Sequence, residues 1–123
     1  MTLATEVMGA GFSAGQAVAL GGTTATVAAA GSTQGGATAI KASNVIVTGA
    51  DGTVGVILPA GYGSVTIFNN AGSTLKVYPP SGAAIAVPGS GAGTQNAAYS
   101  HTTYAVVTYT RYSSTQWVPN KSA

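Results

Sequence analysis

The sequence predicts an all-β protein, built as an antiparallel β-sandwich or a jelly-roll-like barrel behind an extended N-terminal arm. Short runs rich in β-branched and aromatic residues recur from residue 25 onward, and turn residues separate them. Residues 1–24 lack such runs and consist mainly of small side chains. A chain of 123 residues has room for one domain, so we divide it into an arm, 1–24, and a β-sandwich domain, 25–123.

The arm is predicted to lie extended over a neighbouring surface. Its larger apolar side chains stand apart from one another and are candidate contacts with a partner: Leu3, Val7, Met8 and Phe12. Ser13 is spaced from Gln16 as an N-cap is from its capping-box partner, which predicts a short helical turn before Gly21. The alternative is a terminal tail without fixed structure.

Nine strands are predicted after the arm. They span 25–29, 37–41, 44–48, 55–58, 64–69, 74–78, 84–87, 104–110 and 116–118. Asp51-Gly52 favours a turn that needs positive φ, and Pro79-Pro80-Ser81-Gly82 cannot continue a central strand. Asn70-Ala71-Gly72 is predicted to close a hairpin over 64–78. In that hairpin Val65, Ile67 and Asn69 share one face of the first strand.

The segment 88–103 is long and rich in glycine for a connection in a compact fold. Loops of this kind usually serve a function or an interface. We therefore expect 88–103 to contact a partner, with Tyr99 and His101 as its candidate contact residues. His101 is expected to face solvent ahead of the strand 104–110.

Charged residues make up only 5% of the chain, against about a quarter in an ordinary soluble protein. The carboxylates are Glu6 and Asp51, the only histidine is His101, and there is no cysteine. This composition argues against an enzyme and against a metal or cofactor site. A weakly charged surface also favours association between subunits.

The four cations are scattered singly along the sequence: Lys41, Lys76, Arg111 and Lys121. Nucleic-acid-binding proteins cluster such cations along one face, so we expect no nucleic-acid partner. No uninterrupted apolar stretch approaches the roughly 18 residues of a membrane-spanning helix, so we expect no membrane partner either.

One sequence match to a catalytic motif needs an explanation. Gly11 to Gly15 fits G-x-S-x-G around Ser13, and Asp51 and His101 follow in the order of an α/β-hydrolase triad. That motif requires a strand before it and a helix after it in a larger parallel sheet. We interpret the match as a coincidence of composition, with Asp51 as a turn residue.

From residue 31 to residue 117 the order of motifs resembles a small β-domain of tailed-bacteriophage virion proteins. Three pieces carry the resemblance: GSTQGGATAI at 31–40, VILPAGYGSVTIFNNAGSTLKVYPPSGAAI at 56–85, and the terminal strand ending in Thr115-Gln116-Trp117. The middle piece is the most specific of the three. All of them consist of structural residues, and none carries an active-site signature.

The resemblance implies a structural protein on the outer surface of the capsid, made in the cytoplasm of the host bacterium. For a chain of this size it implies a capsid decoration or cement protein, a homotrimer that clamps neighbouring subunits of the major capsid protein. The alternative is a tail-fibre or receptor-binding module whose tyrosines contact a host surface glycan. Exposed aromatic rings can stack on sugars, although aromatic residues also fill cores and subunit contacts.

Overall fold

The computed structural model describes residues 24–87 and 91–121. Within these residues the protein has ten strands and no helix. The strands are β1 (Thr24–Ala28), β2 (Thr38–Ala39), β3 (Asn44–Thr48), β4 (Gly55–Ile57), β5 (Ser64–Asn69), β6 (Leu75–Tyr78), β7 (Ala84–Ile85), β8 (Tyr99–His101), β9 (Val106–Ser113) and β10 (Gln116–Lys121). The all-β prediction is confirmed for this part of the chain.

The strands form two mixed sheets that share one core. The six-stranded sheet has the order β1-β3-β5-β9-β10-β7, and the four-stranded sheet has the order β2-β4-β6-β8. Apolar side chains from both sheets meet in a single buried cluster, as in a β-sandwich. Its largest fully buried members are Trp117 and Tyr109.

The first six strands wind alternately through the two sheets. β1, β3 and β5 are parallel neighbours in one sheet, while β2, β4 and β6 are parallel neighbours in the other. Thr24 pairs with Asn44, and Asn44 pairs with Thr66, so the chain returns to the same level of the sheet once in each coil. This part of the molecule is therefore a flattened solenoid whose successive coils lie side by side.

The last four strands close the far end of the solenoid. β8 is antiparallel to β6, and β9 is antiparallel to both β5 and β10. β7 adds to the outer side of β10 as a short parallel strand. The parallel winding of the first six strands is thus capped by antiparallel strands.

The prediction of an antiparallel sandwich is wrong at five strand pairs, which are parallel. The hairpin predicted over 64–78 is also wrong, because β5 and β6 lie in different sheets. Alternation of apolar and polar residues shows which side chains face the core, but it does not distinguish parallel from antiparallel neighbours. The jelly-roll form of the prediction is not confirmed, since jelly rolls consist of antiparallel Greek keys.

The predicted facing of side chains is confirmed in β5, and β9 shows the same alternation. Val65, Ile67 and Asn69 are fully buried on the inner side of β5, and Val107 and Tyr109 are buried on the inner side of β9. Two of the three predicted turns, at 51–52 and 79–82, are present as well. Gly52 has a φ of 93°, and the Ala83 N–H donates to the Pro80 carbonyl across the turn of 80–83.

Candidate functional site

The outer side of the six-stranded sheet is a surface formed by four neighbouring strands, β1, β3, β5 and β9. We call the outward side chains of β1, β3, β5 and β9 the outer face. They are Thr24, Thr26, Ala28, Asn44, Ile46, Thr48, Ser64, Thr66, Phe68, Val106, Thr108 and Thr110. Each of them alternates along its strand with an inward side chain, so the pleat of the sheet places them together.

Strand register arranges the outer face in rows that cross the strands. One row contains Thr24, Asn44, Thr66 and Thr108, and the Thr66 and Thr108 hydroxyl oxygens are 3.0 Å apart. This is a row of hydroxyl and amide groups that can donate and accept hydrogen bonds.

The next row is mainly apolar. It runs from Thr26 through Ile46 and Phe68 to Val106. Ile46 is 41% exposed, a large fraction for an isoleucine in a strand. An open depression of about 520 Å³ lies over β1, β3 and β5 and is lined by side chains of both rows.

No outward position of these four strands between Thr24 and Thr110 carries a charge. Charged residues are depleted at the centres of protein interfaces, where aromatic and aliphatic side chains are buried. Ile46 and Phe68 can therefore be covered by a partner without desolvating a charge. The chemistry of the outer face suits contact with another protein surface.

Two tyrosines are strongly exposed at the ends of the antiparallel cap. Tyr104 is 61% exposed and has a φ of 54°, and Tyr112 is 71% exposed near the end of β9. In contrast, the Tyr62 hydroxyl donates to the Lys41 carbonyl, and the Tyr78 hydroxyl donates to the Ser32 carbonyl. Those two rings join segments of the fold, whereas Tyr104 and Tyr112 are available to a ligand.

His101 does not face solvent, contrary to the prediction, because its side chain is fully buried. Its Nε2 lies 2.7 Å from the Ala105 carbonyl oxygen, and its Nδ1 lies 2.8 Å from the Tyr109 hydroxyl. A carbonyl oxygen only accepts, so Nε2 carries the proton and Nδ1 accepts from Tyr109. Sequence reasoning missed this arrangement because β8 (Tyr99–His101) lies within the segment predicted to be a loop.

Burial lowers the pKa of His101 and raises the pKa of Tyr109 well above its ordinary value. Both side chains are therefore neutral near pH 7 and hold fixed protons. The pair joins β8 to β9, and His101 is not available as a contact residue. Tyr99, the other candidate in this segment, is half-buried and packs edge-on against Tyr109 with 5.8 Å between ring centroids.

The residues of the apparent hydrolase triad are engaged elsewhere or lie outside the described residues. Asp51 accepts hydrogen bonds from the Thr53 N–H at 2.8 Å, the Thr53 hydroxyl at 2.6 Å and the Val54 N–H at 3.2 Å. The Thr53 bonds lower the pKa of Asp51. Both ring nitrogens of His101 are occupied by groups other than Asp51, and Ser13 is outside the described residues. Asp51 is a turn residue, as predicted.

The other predicted contact residues belong to two segments, the arm and the segment 88–103. Leu3, Val7, Met8 and Phe12 lie outside the described residues, as does Glu6. In the segment 88–103, residues 91–96 are exposed.

Within 24–87 and 91–121 no three His, Cys, Asp or Glu side chains are grouped as metal ligands. A search of the same residues found no helix of the length and apolar character needed to cross a membrane.

Sequence reasoning also missed the outer face. Its signal was present in the β-strands, where Ile46, Phe68 and Val106 occupy positions that alternate with core residues. Those positions form one row only when β3, β5 and β9 are neighbours, and that order does not follow from the pattern.

Comparison of the chain with protein-family models, with curated proteins and with solved structures found no match. Assignment of function therefore depends on the outer face and on the sequence motifs.

Proposed function

We propose that the chain is a non-enzymatic structural protein of a tailed-bacteriophage virion that decorates the capsid. In this role it is made in the host cytoplasm, binds the outer capsid surface as a homotrimer and clamps neighbouring subunits of the major capsid protein. The outer face is the observation that supports this proposal. It is a broad β-surface with an apolar row and no charge at its outward positions, which is the kind of surface that a protein partner covers.

The composition supports the same role. A cement protein acts through contacts and needs neither a nucleophile nor a cofactor. The chain has only six formally charged residues among 123, so few charges oppose close packing against a shell. The motifs at 31–40 and 56–85 supply the resemblance to virion proteins.

The outer face can be tested with one charge and a matched control. We expect Ile46→Lys to abolish binding to emptied capsid shells of the phage that encodes the chain, because the ammonium group would have to be buried in the contact. Ser81→Lys adds the same charge at an exposed turn and should bind as the unmodified protein does. Co-sedimentation with the shells measures both variants, and circular dichroism checks that each is folded.

Equal shell binding by the two variants would show that the outer face is not the contact. If the unmodified protein does not sediment with shells at all, capsid decoration itself is contradicted. Light scattering should give the mass of a trimer for the protein alone or on release from shells, and a monomer in both states would contradict the trimer.

The exposed tyrosines favour one second candidate, a tail-fibre or receptor-binding module. Tyr104 and Tyr112 present aromatic rings that can stack on a sugar. Binding to host polysaccharide that is lost in Tyr104→Ala and Tyr112→Ala, with no binding to emptied shells, would support this candidate over capsid decoration. Imaging of labelled protein in intact particles separates head from tail directly.

A further inference from the structure

The solenoid has an open end at β1 and β2. β1 is the outermost strand of the six-stranded sheet, and its one neighbour in the described structure is β3. The Ala29 N–H donates to the Thr48 carbonyl on β3, so the backbone groups of Thr24, Thr26 and Ala28 point away from β3. β1 contains no charge and no proline, the devices by which proteins protect an exposed strand edge.

The core is also thinly covered at this end. Ala25 and Val27 are only half-buried, although they pack against the buried cluster. Their parallel partners one coil further in, Val45 and Val47, are 3% and 0% exposed. The first described coil thus has the exposure expected of a coil that lacks its neighbour.

The sequence ahead of β1 repeats the first described coil at the spacing between the first two described coils. The pairing of Thr24 with Asn44 gives this offset along the chain, and the pairing of Asn44 with Thr66 gives an offset two residues longer for the following coil. Shifting the sequence by the first of these offsets aligns 1–20 with 21–40. The identical pairs are Val7 and Val27, Ala10 and Ala30, Gly11 and Gly31, Gly15 and Gly35, Ala17 and Ala37, and Ala19 and Ala39.

Alanine and glycine are common in this chain, so the weight of the repeat lies at positions with a structural role. Gly31 has a φ of 73°, and a Cβ there would overlap the Gly36 carbonyl oxygen. Glycine is kept at the aligned position, Gly11. The Gly36 N–H lies 3.2 Å from the Thr33 hydroxyl, and Ser13 keeps a hydroxyl at the aligned position.

The apolar pattern and the connection between coils are kept as well. Leu20 aligns with Ile40, which is 2% exposed. Residues 21–23 align with 41–43, which connect the first described coil to the second. Two inward positions differ, because Thr5 aligns with Ala25 and Gly9 aligns with Ala29.

We propose that residues 1–20 form a further coil of the solenoid, which pairs in parallel with the open edge of β1 and covers Ala25 and Val27. We assign the coil to the same chain, because a link as short as 41–43 joins the first described coil to the second. This placement turns Val7 toward the core. Met8 and Phe12 align with Ala28 and Ser32, which are exposed, so they remain outward and free to contact a partner. The inference does not depend on the proposed virion role.

Cysteine pairs test the placement cleanly, because the chain has no cysteine of its own. Glu6 aligns with Thr26 on the outward side, and neighbouring strands bring paired Cα atoms about 4.8 Å apart, within disulfide range. The double variant Glu6→Cys with Thr26→Cys should form an intramolecular disulfide on mild oxidation. The control, Val7→Cys with Thr26→Cys, places the thiols on opposite sides of the sheet and should not.

Non-reducing electrophoresis and peptide mapping read the result at several protein concentrations. A fast intramolecular disulfide at positions 6 and 26, independent of concentration and absent from the control, supports the proposal. A disulfide-linked dimer whose rate rises with concentration means that a second copy occupies the edge and overturns the assignment to the same chain. Equal reaction of the two pairs overturns the added coil.

Hydrogen exchange of the unmodified chain gives a second measurement, which does not depend on whether a variant folds. The amides of Thr26 and Ala28 should exchange slowly, since the added coil supplies their hydrogen-bond acceptors. Val7→Asp should speed their exchange and lower the melting temperature, whereas Met8→Asp, at an outward position, should change neither. Fast exchange of both amides in the unmodified chain would contradict the added coil.

Discussion

At the scale of single residues, His101 and Tyr109 replace an expected surface group with a buried neutral pair. Their hydrogen bond of 2.8 Å joins β8 to β9, and the bond of His101 to the Ala105 carbonyl fixes the turn between those strands. A protonated His101 could not accept from Tyr109 and would place an unpaired charge in the core. The pair therefore links the stability of the fold to pH.

We predict that the free energy of unfolding decreases as the pH falls below about 6.5, the ordinary pKa of histidine. Burial lowers the pKa of His101 in the folded chain, so below that pH the unfolded chain binds a proton that the folded chain does not. The slope should approach ~1.4 kcal/mol per pH unit and end at the folded pKa. Denaturant unfolding at a series of pH values from about 8 down to about 5 measures it.

His101→Gln provides the control for this prediction. Because His101 is the only histidine, the variant should lose the slope between these pH values, whatever its absolute stability. Asp51 does not titrate in this range, because hydrogen bonds from Thr53 lower its pKa below the ordinary value of 3.8. An unchanged slope in the variant would show that another group is responsible.

Asn69 is a second residue whose role depends on tertiary structure. Its Nδ2 donates to the Ser73 carbonyl at 2.8 Å and lies 3.3 Å from the Thr102 carbonyl. These contacts join the end of β5 to the start of β6 and the end of β8. A sequence pattern places Asn69 on the inner face but does not supply these partners, which are 4 and 33 residues away.

At the scale of elements, the close approach of parallel strands restricts side chains at specific positions. Gly55 on β4 pairs with Lys76 on β6, and a Cβ at Gly55 would overlap the Lys76 carbonyl oxygen. Gly61, in the turn between β4 and β5, has open space around it and no positive φ. The same substitution at the two positions therefore tests the parallel ladder.

We predict that Gly55→Ala destabilises the protein by about 1–3 kcal/mol, the usual cost of overpacking a well-packed region. Gly61→Ala should be neutral or should stabilise by up to about 1 kcal/mol, since it reduces the entropy of the unfolded chain. Denaturant titration of both variants gives the comparison. Equal stability of the two variants would contradict the close contact between β4 and β6.

Most elements are predictable from the sequence, while their neighbours are not. β3 and β5 have the predicted bounds, because each alternates clearly and ends at turn residues. β8 was missed because Tyr99-Ser100-His101 is short and follows a glycine-rich segment. The parallel winding was also missed, since it is stabilised by pairing of β1 with β3 and of β3 with β5, strands that a local pattern does not relate to one another.

The same limit applies to the site. Composition indicates a chain that works through contacts, and that inference is available from six charged residues alone. Which side chains form the proposed contact surface depends on the order β1-β3-β5-β9, because Ile46, Phe68 and Val106 come from three strands distant in sequence. Sequence reasoning selected His101 instead, since a lone histidine in a loop is a common surface residue and its burial follows only from the tertiary fold.

At the scale of the whole molecule, parallel coils turn a local pattern into a surface. Each coil contributes one strand to each sheet, so an outward side chain on one coil lies beside an outward side chain on the next. The apolar row is the result of this stacking, and the antiparallel strand β9 extends it by Val106. A rigid surface of this kind requires little ordering when a partner binds it, which lowers the entropic cost of attachment.

This surface leads to a prediction about salt. Screening by ions weakens attraction between exposed charges, and the Debye length falls from about 10 Å at 0.1 M to about 3 Å at 1 M ionic strength. The outward positions of β1, β3, β5 and β9 between Thr24 and Thr110 carry no charge to be screened. Burial of apolar groups such as Ile46 and Phe68 is instead maintained or strengthened by many salts.

We therefore expect attachment to emptied shells to change little, or to tighten, between about 0.1 and 1 M salt. Quantitative co-sedimentation over this range measures the effect, and shells incubated alone control for salt-induced changes in the shell. Ser81→Lys should follow the unmodified protein at every salt concentration, because its added charge lies outside the outer face. Attachment that weakens steeply with salt would mean that Lys41, Lys76, Arg111 or Lys121 provides the contact, and it would move the binding surface from the outer face to the neighbourhood of those cations.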